Sequence, residues 1–278
     1  MNKNLDKMRT DFIEQIKLSE AVLGAWNFGS ETHGLSDEYS DVDIILLIEG
    51  KQFEIFAGAL DSYLHKISDE ILLCWPESFN SEAIINNGYL LLKNDRIFQF
   101  DVFLLNSERI DDFMCRIHYT DLKESDIIFD KKGLVHELVS AGLKGNCWND
   151  DIVRLEDTFW YHANMTSKYL KREDYFKLRN VINTLFETHL SMLLTGYDKI
   201  TWGGSANKLH FIPKEKQNHL KIYYFSENFE QVKEKLIECM NAFRADAREV
   251  YELKSMNYST YLGDMVMKNW LNEMSDKG

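Results

Sequence analysis

Residues 28–43 read FGSETHGLSDEYSDVD, and they are flanked by AVLGAWN (21–27) and IILLI (44–48). The flanks are short apolar runs of the kind that form buried strands. Between them lies a polar loop that opens on a Gly-Ser pair and closes on two carboxylates two residues apart. Over 41–48, Val42, Ile44, Leu46 and Ile48 share one strand face, which leaves Asp41 and Asp43 together on the other. Two acids on one face of an otherwise apolar strand are costly to bury unless a cation sits against them.

A third acid falls in a similar setting. GYLLLK (88–93) and RIFQFDVFLL (96–105) flank Asn94-Asp95, a two-residue hairpin signal. In the second strand Phe98, Phe100, Val102 and Leu104 form one face. Ile97, Gln99, Asp101 and Phe103 form the other. Asp41, Asp43 and Asp101 are therefore candidate ligands for hard divalent ions such as Mg²⁺, which take oxygen donors and share them with phosphates. Two such ions could activate a hydroxyl and stabilise a leaving pyrophosphate. The Gly29-Ser30 pair supplies what a phosphate needs: backbone N–H groups, a hydroxyl, and no Cβ on Gly29 to block approach.

Further out, residues 4–19 carry Leu5, Met8, Phe12 and Ile16 at helical spacing, and 51–66 also reads as helix. DIIFD (126–130) followed by KKGLVHELVSAGL (131–143) reads as a last strand and a helix. From about residue 148 strand signals nearly vanish, and helical periodicity runs over 151–195 and 227–253. The expected architecture is an α/β (α+β) domain with a mixed sheet over 1–145, then an all-α helical bundle over 146–278.

Composition sets bounds. The 278 residues are 45% hydrophobic and carry a formal charge of −13. Residues 1–143 hold 13 Lys/Arg against 26 Asp/Glu, and residues 144–278 hold 19 of each, so the excess acid lies in the first half. This argues against nucleic acid as a partner and for cations, whether metal or polycationic small molecule. No apolar run reaches the ~18–20 residues of a membrane span, and the N-terminus has no apolar signal core. Cys74, Cys115, Cys147 and Cys239 form no CxxC pair, which fits reduced thiols and a cytoplasmic chain.

The Gly29-Ser30, loop, Asp41-Val42-Asp43 pattern, with Asp101 on a nearby strand, resembles the signature of the DNA polymerase β-like nucleotidyltransferases. FWYHANMTSKYLKRED (159–174), TGYDKITWGGSANKLHFIPKEKQNHLKIYY (195–224) and FRADAREVYEL (243–253) are similar to bacterial aminoglycoside 6-adenylyltransferases. Lincosamide nucleotidyltransferases are close cousins.

The resemblance implies transfer of AMP from ATP to a hydroxyl of a streptomycin-type antibiotic. It implies two Mg²⁺ ions on Asp41, Asp43 and Asp101, with Asp101 as general base and Gly29 and Ser30 on the nucleotide phosphates. It also implies a helical substrate-binding domain.

Glu156, Trp160, Asn164, Lys168 and Arg172 recur every four residues. The resemblance turns Lys168 and Arg172 into candidate triphosphate ligands rather than a salt-bridged helix end. Some relatives use a Glu four residues before that Lys; here the position is Asn164, and the role is not carried over. Glu77, Glu82, Asp95 and Glu173-Asp174 are unranked acceptor contacts. His33 reads as a solvated loop residue, and Trp160 as core. TWGGSANK (201–208) lacks the P-loop spacing and reads as a loop between helices. A monomer or homodimer fits equally. Other readings are a lincosamide or metabolite acceptor, and a nucleotide-binding protein without catalysis.

Overall fold

The computed structural model describes residues 3–34, 37, 40–141, 151–199, 204–224 and 229–275. The chain divides into two compact units, Met1–Lys144 and Gly145–Gly278.

The first unit opens with α1 (Lys3–Leu18), whose Leu5, Met8, Phe12 and Ile16 are all buried, as their spacing requires. Then come β1 (Val22–Asn27), a 3-10 turn over Gly29–His33, β2 (Val42–Ile48), α2 (Phe53–Ile67), β3 (Glu70–Pro76), β4 (Ile84–Lys93) and β5 (Arg96–Asn106). After α3 (Phe113–Ile117), β6 (Ile127–Asp130) and α4 (Leu134–Ala141) complete it. The six strands form one sheet in the order β3-β4-β5-β2-β1-β6. Only the β2–β5 pairing is parallel, so the sheet is mixed.

Both faces of the sheet are covered, but unequally. One face packs α1 and α2 through Val42, Ile44, Leu46, Phe98, Phe100 and Val102. The opposite face buries Ile45, Leu47, Ile84 and Leu105 with Tyr119, Val135 and Leu138, and half-buries Phe103 against them. That second cover ends where β2 begins and where β5 passes Phe103. Asp43 and Asp101 stand at this boundary.

Two features differ from the reading of the sequence. β3 carries no alternation, because nearly all its residues are exposed on both faces of an edge strand, and a period-2 pattern arises only where one face is buried. Asp41 lies just before β2 rather than within it. The hairpin is as expected: Asn94 and Asp95 both have positive φ (52° and 59°), the requirement of a type I′ turn.

The second unit contains no strand among its described residues. It comprises α5 (Ile152–Lys171), α6 (Tyr175–Gly196), α7 (Lys214–His219), α8 (Phe229–Leu253) and α9 (Tyr261–Ser275). The 151–195 periodicity is two helices, not one. Glu173 breaks the chain at φ 54°, and Asp174 caps α6 by accepting from the Lys177 N–H. α9 is silent in the sequence because it buries only Gly263 and Trp270.

The core centres on Phe159 stacked on Phe243 with ring centroids 3.6 Å apart. Trp270 anchors α9 by donating to Thr166 Oγ1 at 2.8 Å. One deeper polar set is mutually satisfied: His189 bridges Tyr223 and Asp246 at 2.9 Å each, and Lys216 pairs with Asp246 and Glu249 at 2.5 Å. No helix among the described residues is long and apolar enough to cross a membrane.

The side chain of His33, Cys147 and residues 201–203 lie outside the described residues. So does the boundary expected at 145/146.

Candidate active site

The parallel pairing of β2 with β5 sets the register of the site. Asp43 is the direct partner of Asp101, so their side chains leave the sheet on the same side. Asp41, one residue before the strand, joins them. Ligand atoms of Asp41, Asp43 and Asp101 all lie within 4.8 Å of one another. The structure therefore brings together the three acids that the sequence singled out.

Their charges are poorly tolerated as they stand. Burial is the main cause that pushes the Asp43 carboxyl up to about 8, followed by the charges of Asp41, Asp101 and Glu31. Burial also raises Asp101, helped by Asp41 and Glu77 and opposed by a hydrogen bond from Gln99. That bond runs from Gln99 Nε2 to Asp101 Oδ2 at 2.8 Å. No Lys or Arg pairs with these three acids among the described residues; Arg9 approaches only Glu31, at 3.3 Å, and the Asn27 amide oxygen, at 2.7 Å. Three hard oxygen donors at this spacing, with burial and their mutual repulsion both opposing ionisation and no cationic side chain paired to them among the described residues, fit a divalent cation.

Gly29 is built around Asp43. The Phe28 N–H donates to the Asp43 carbonyl at 3.2 Å. Gly29 then takes φ 65°, and a Cβ added to it would lie 2.1 Å from Asp43 Oδ2. The left-handed conformation and the missing side chain are thus both needed. Ser30 follows in the first turn of the 3-10 segment, and Thr32 Oγ1 donates to the Gly29 carbonyl at 2.9 Å. The polar loop of the sequence thus begins as a short helical turn over residues 29–33, tied to β2.

Several neighbours were not legible as site residues. Gly88 on β4 faces Asp101, and a Cβ there would come 2.8 Å from Asp101 Oδ1. A glycine inside an apolar strand is the signal that could have marked it. Glu31 acts on Asp43 only through the fold, whereas Gln99 shares a strand face with Asp101 two residues away.

Lys168 and Arg172 belong to the second unit. Lys168 is exposed near the end of α5, its Nζ 5.1 Å from the Tyr169 ring centroid. Arg172 is the residue after the helix. The four-residue stripe does not hold one face. Each step of four drifts about 40° on a 3.6-residue helix, so Glu156 and Trp160 are buried while Asn164 and Lys168 are exposed.

A cavity of about 1060 Å³ also lies in this unit, lined in part by Arg179, Lys214 and Lys221 and, among the described residues, by no carboxylate. Its charge is wrong for a polycation, and neither Lys168 nor Arg172 lines it.

Comparisons with known proteins bear on the whole chain. The family model described as streptomycin adenylyltransferase matches residues 3–274. Among solved structures, an aminoglycoside 6-adenyltransferase from Bacillus subtilis is 14% identical with a TM-score of 0.44, over 99% of this chain and 100% of that one. A nucleotidyltransferase-like protein from Exiguobacterium sibiricum 255-15 is 10% identical with a TM-score of 0.31, over 89% and 77%. No curated protein sequence matches significantly.

Proposed function

The chain belongs to the streptomycin adenylyltransferase family and is a nucleotidyltransferase; from that premise we propose that it transfers AMP from ATP to a hydroxyl of a streptomycin-type aminoglycoside. The observation that carries the reading is the convergence of Asp41, Asp43 and Asp101 beside Gly29. Asp41, Asp43 and Asp101 would hold Mg²⁺, two ions by the chemistry of the donor set. Bound there, the metal neutralises phosphate charge and stabilises the leaving pyrophosphate.

The chain's own groups do the rest. Gly29 and Ser30 hold phosphate oxygens. Asp101 takes the proton of the acceptor hydroxyl as its oxygen bonds to the α-phosphorus. The bond from that phosphorus to the bridging oxygen breaks, and pyrophosphate departs. Alignment and fixed charge supply most of the rate.

Residues 146–278 serve as the substrate-binding domain, with Lys168 and Arg172 on the triphosphate. Lys168 stands over the Tyr169 ring, and the charge of Arg172 reaches the Asp174 carboxylate, which Lys177 already pairs. The surplus acid of residues 1–143 raises the local concentration of a cationic drug. In a cell this activity gives antibiotic resistance in the cytoplasm, where ATP is supplied.

Two measurements test this. Pyrophosphate release with ATP and Mg²⁺ should appear with streptomycin and stop with EDTA. Release with lincomycin alone would move the acceptor to the lincosamides, and ATP binding without release for any acceptor would leave a non-catalytic protein. Lys168→Gln and Arg172→Gln should each raise the KM for ATP about tenfold, the scale of one charge-assisted hydrogen bond. An unchanged KM for ATP would remove both from the nucleotide site.

A further inference from the structure

The strand register extends the site beyond the three acids. Across the sheet, Asp43 pairs with Asp101, Asp101 with Gly88, and Gly88 with Trp75. Directly paired residues project to the same side. One row on one face therefore reads carboxylate, carboxylate, bare backbone, indole. Trp75 is 62% exposed, although a tryptophan is rarely left in water without a use. It ends a strip of the sheet that the second cover does not reach, with Leu73 and Ile97 also exposed on that side.

Spacing and charge define what fits. Neighbouring strands are ~4.8 Å apart, so the Trp75 and Asp101 strands are separated by roughly 10 Å. Gly88 puts no side chain into the interval, and Asp101 Oδ1 leans into it from one side, 2.8 Å from where a Cβ would stand. A six-membered ring lying over Gly88 would meet the indole on one side and the Asp101 carboxylate on the other. Two residues past Trp75, Glu77 stays tied to β4 through its N–H to the Asn86 carbonyl at 3.0 Å, and its charge reaches Asp101. The row and its neighbour Glu77 thus offer an aromatic plate and acids, and no Lys or Arg.

We propose that Trp75 is the acceptor platform: it takes the apolar C–H face and a cationic group of an amino- or guanidino-substituted sugar or cyclitol, and so sets one ring hydroxyl against Asp101. The proposal rests on the transferase reading above and adds the acceptor subsite to it. An uncharged sugar would lose the cation–π and carboxylate contacts together, and an anionic one would be repelled. Trp75 touches the acceptor and not the nucleotide, so its effect separates the two substrates.

The test is calorimetric titration of streptomycin onto the full chain with Mg²⁺ and a non-hydrolysable ATP analogue, beside steady-state kinetics. Trp75→Ala should weaken streptomycin binding about tenfold or more, the scale of an exposed aromatic anchor. Trp75→Phe should stay within about threefold, and the KM for ATP should not move in either variant. Because Trp75 is exposed, loss of fold does not confuse the result.

Wild-type protein that binds streptomycin through Trp75 without transferring AMP would sink the transferase reading and keep the platform. Wild-type turnover with unchanged binding in Trp75→Ala would overturn the platform and keep the transferase. Wild-type protein that does not bind streptomycin would also overturn it.

Discussion

Asp43→Asn removes AMP transfer, by on the order of a thousandfold, and at the same time makes the metal-free protein more stable at neutral and alkaline pH. The two effects have one cause. Asp43 is held in a partly buried position beside Asp41 and Asp101, with Glu31 near, so its ionised form is disfavoured. The carboxyl is pushed from 3.8 up to about 8. A folded-state value above the unfolded one means that the folded chain binds the proton more tightly. Stability from this group is therefore complete below about pH 4, declines as pH rises, and is lost by the time pH passes about 8. An asparagine there stays neutral throughout, so the variant should show a flatter stability–pH profile from pH 4 to 8.

A divalent ion should reverse the trend in wild type. It binds the carboxylate and not the acid, so its affinity rises with pH over the same window. Thermal unfolding with and without Mg²⁺ at pH 5.5 and 8.5 checks this. The expected result is a larger Mg²⁺-induced rise in Tm at pH 8.5, absent in Asp43→Asn. Turnover in the variant above about one hundredth of wild type, or a metal-independent Tm in wild type at both pH values, would refute the metal role of Asp43.

The three acids were legible because each breaks a strong local pattern. Asp101 interrupts RIFQFDVFLL, and Asp43 precedes IILLI; an acid in such a run costs too much to be incidental. That they share a face followed from period 2 alone. That they face each other did not, since it needs the parallel β2–β5 pairing, which joins residues far apart in the chain.

Edge strand β3 escaped for the opposite reason. Exposed on both faces, it lacks the periodicity that betrays a strand, and Trp75 escaped with it. The charged stripe of α5 misled in a third way. Spacing of four suggests a single face, but over sixteen residues the drift carries it from core to surface. Sequence patterns report burial, and the features of this fold that were missed are those where burial is absent or changes along an element.

Gly29→Ala should cost about a hundredfold in AMP transfer, whereas Gly34→Ala should leave transfer within about threefold. The comparison is controlled by the backbone. Both glycines occupy the left-handed region, at φ 65° and 66°, so alanine meets a similar torsional penalty at each, roughly 1–2 kcal/mol. Their surroundings differ. A Cβ on Gly34 would meet nothing within 4 Å. A Cβ on Gly29 would fall 2.1 Å from Asp43 Oδ2 and 2.8 Å from its Cγ, far inside contact distance.

The carboxylate must then swing away or the 29–33 turn must lift. Either motion moves a metal-binding oxygen by an ångström or more, which is enough to cost two orders of magnitude in rate. The measurement is kcat for pyrophosphate release across a Mg²⁺ titration, with unfolding curves for both variants. If displacement of Asp43 is the fault, Gly29→Ala also needs more Mg²⁺ for half-maximal rate, and Gly34→Ala does not. Equal losses in the two variants would mean that torsional strain alone accounts for the effect, and that Gly29 has no special tie to the Asp43 carboxylate.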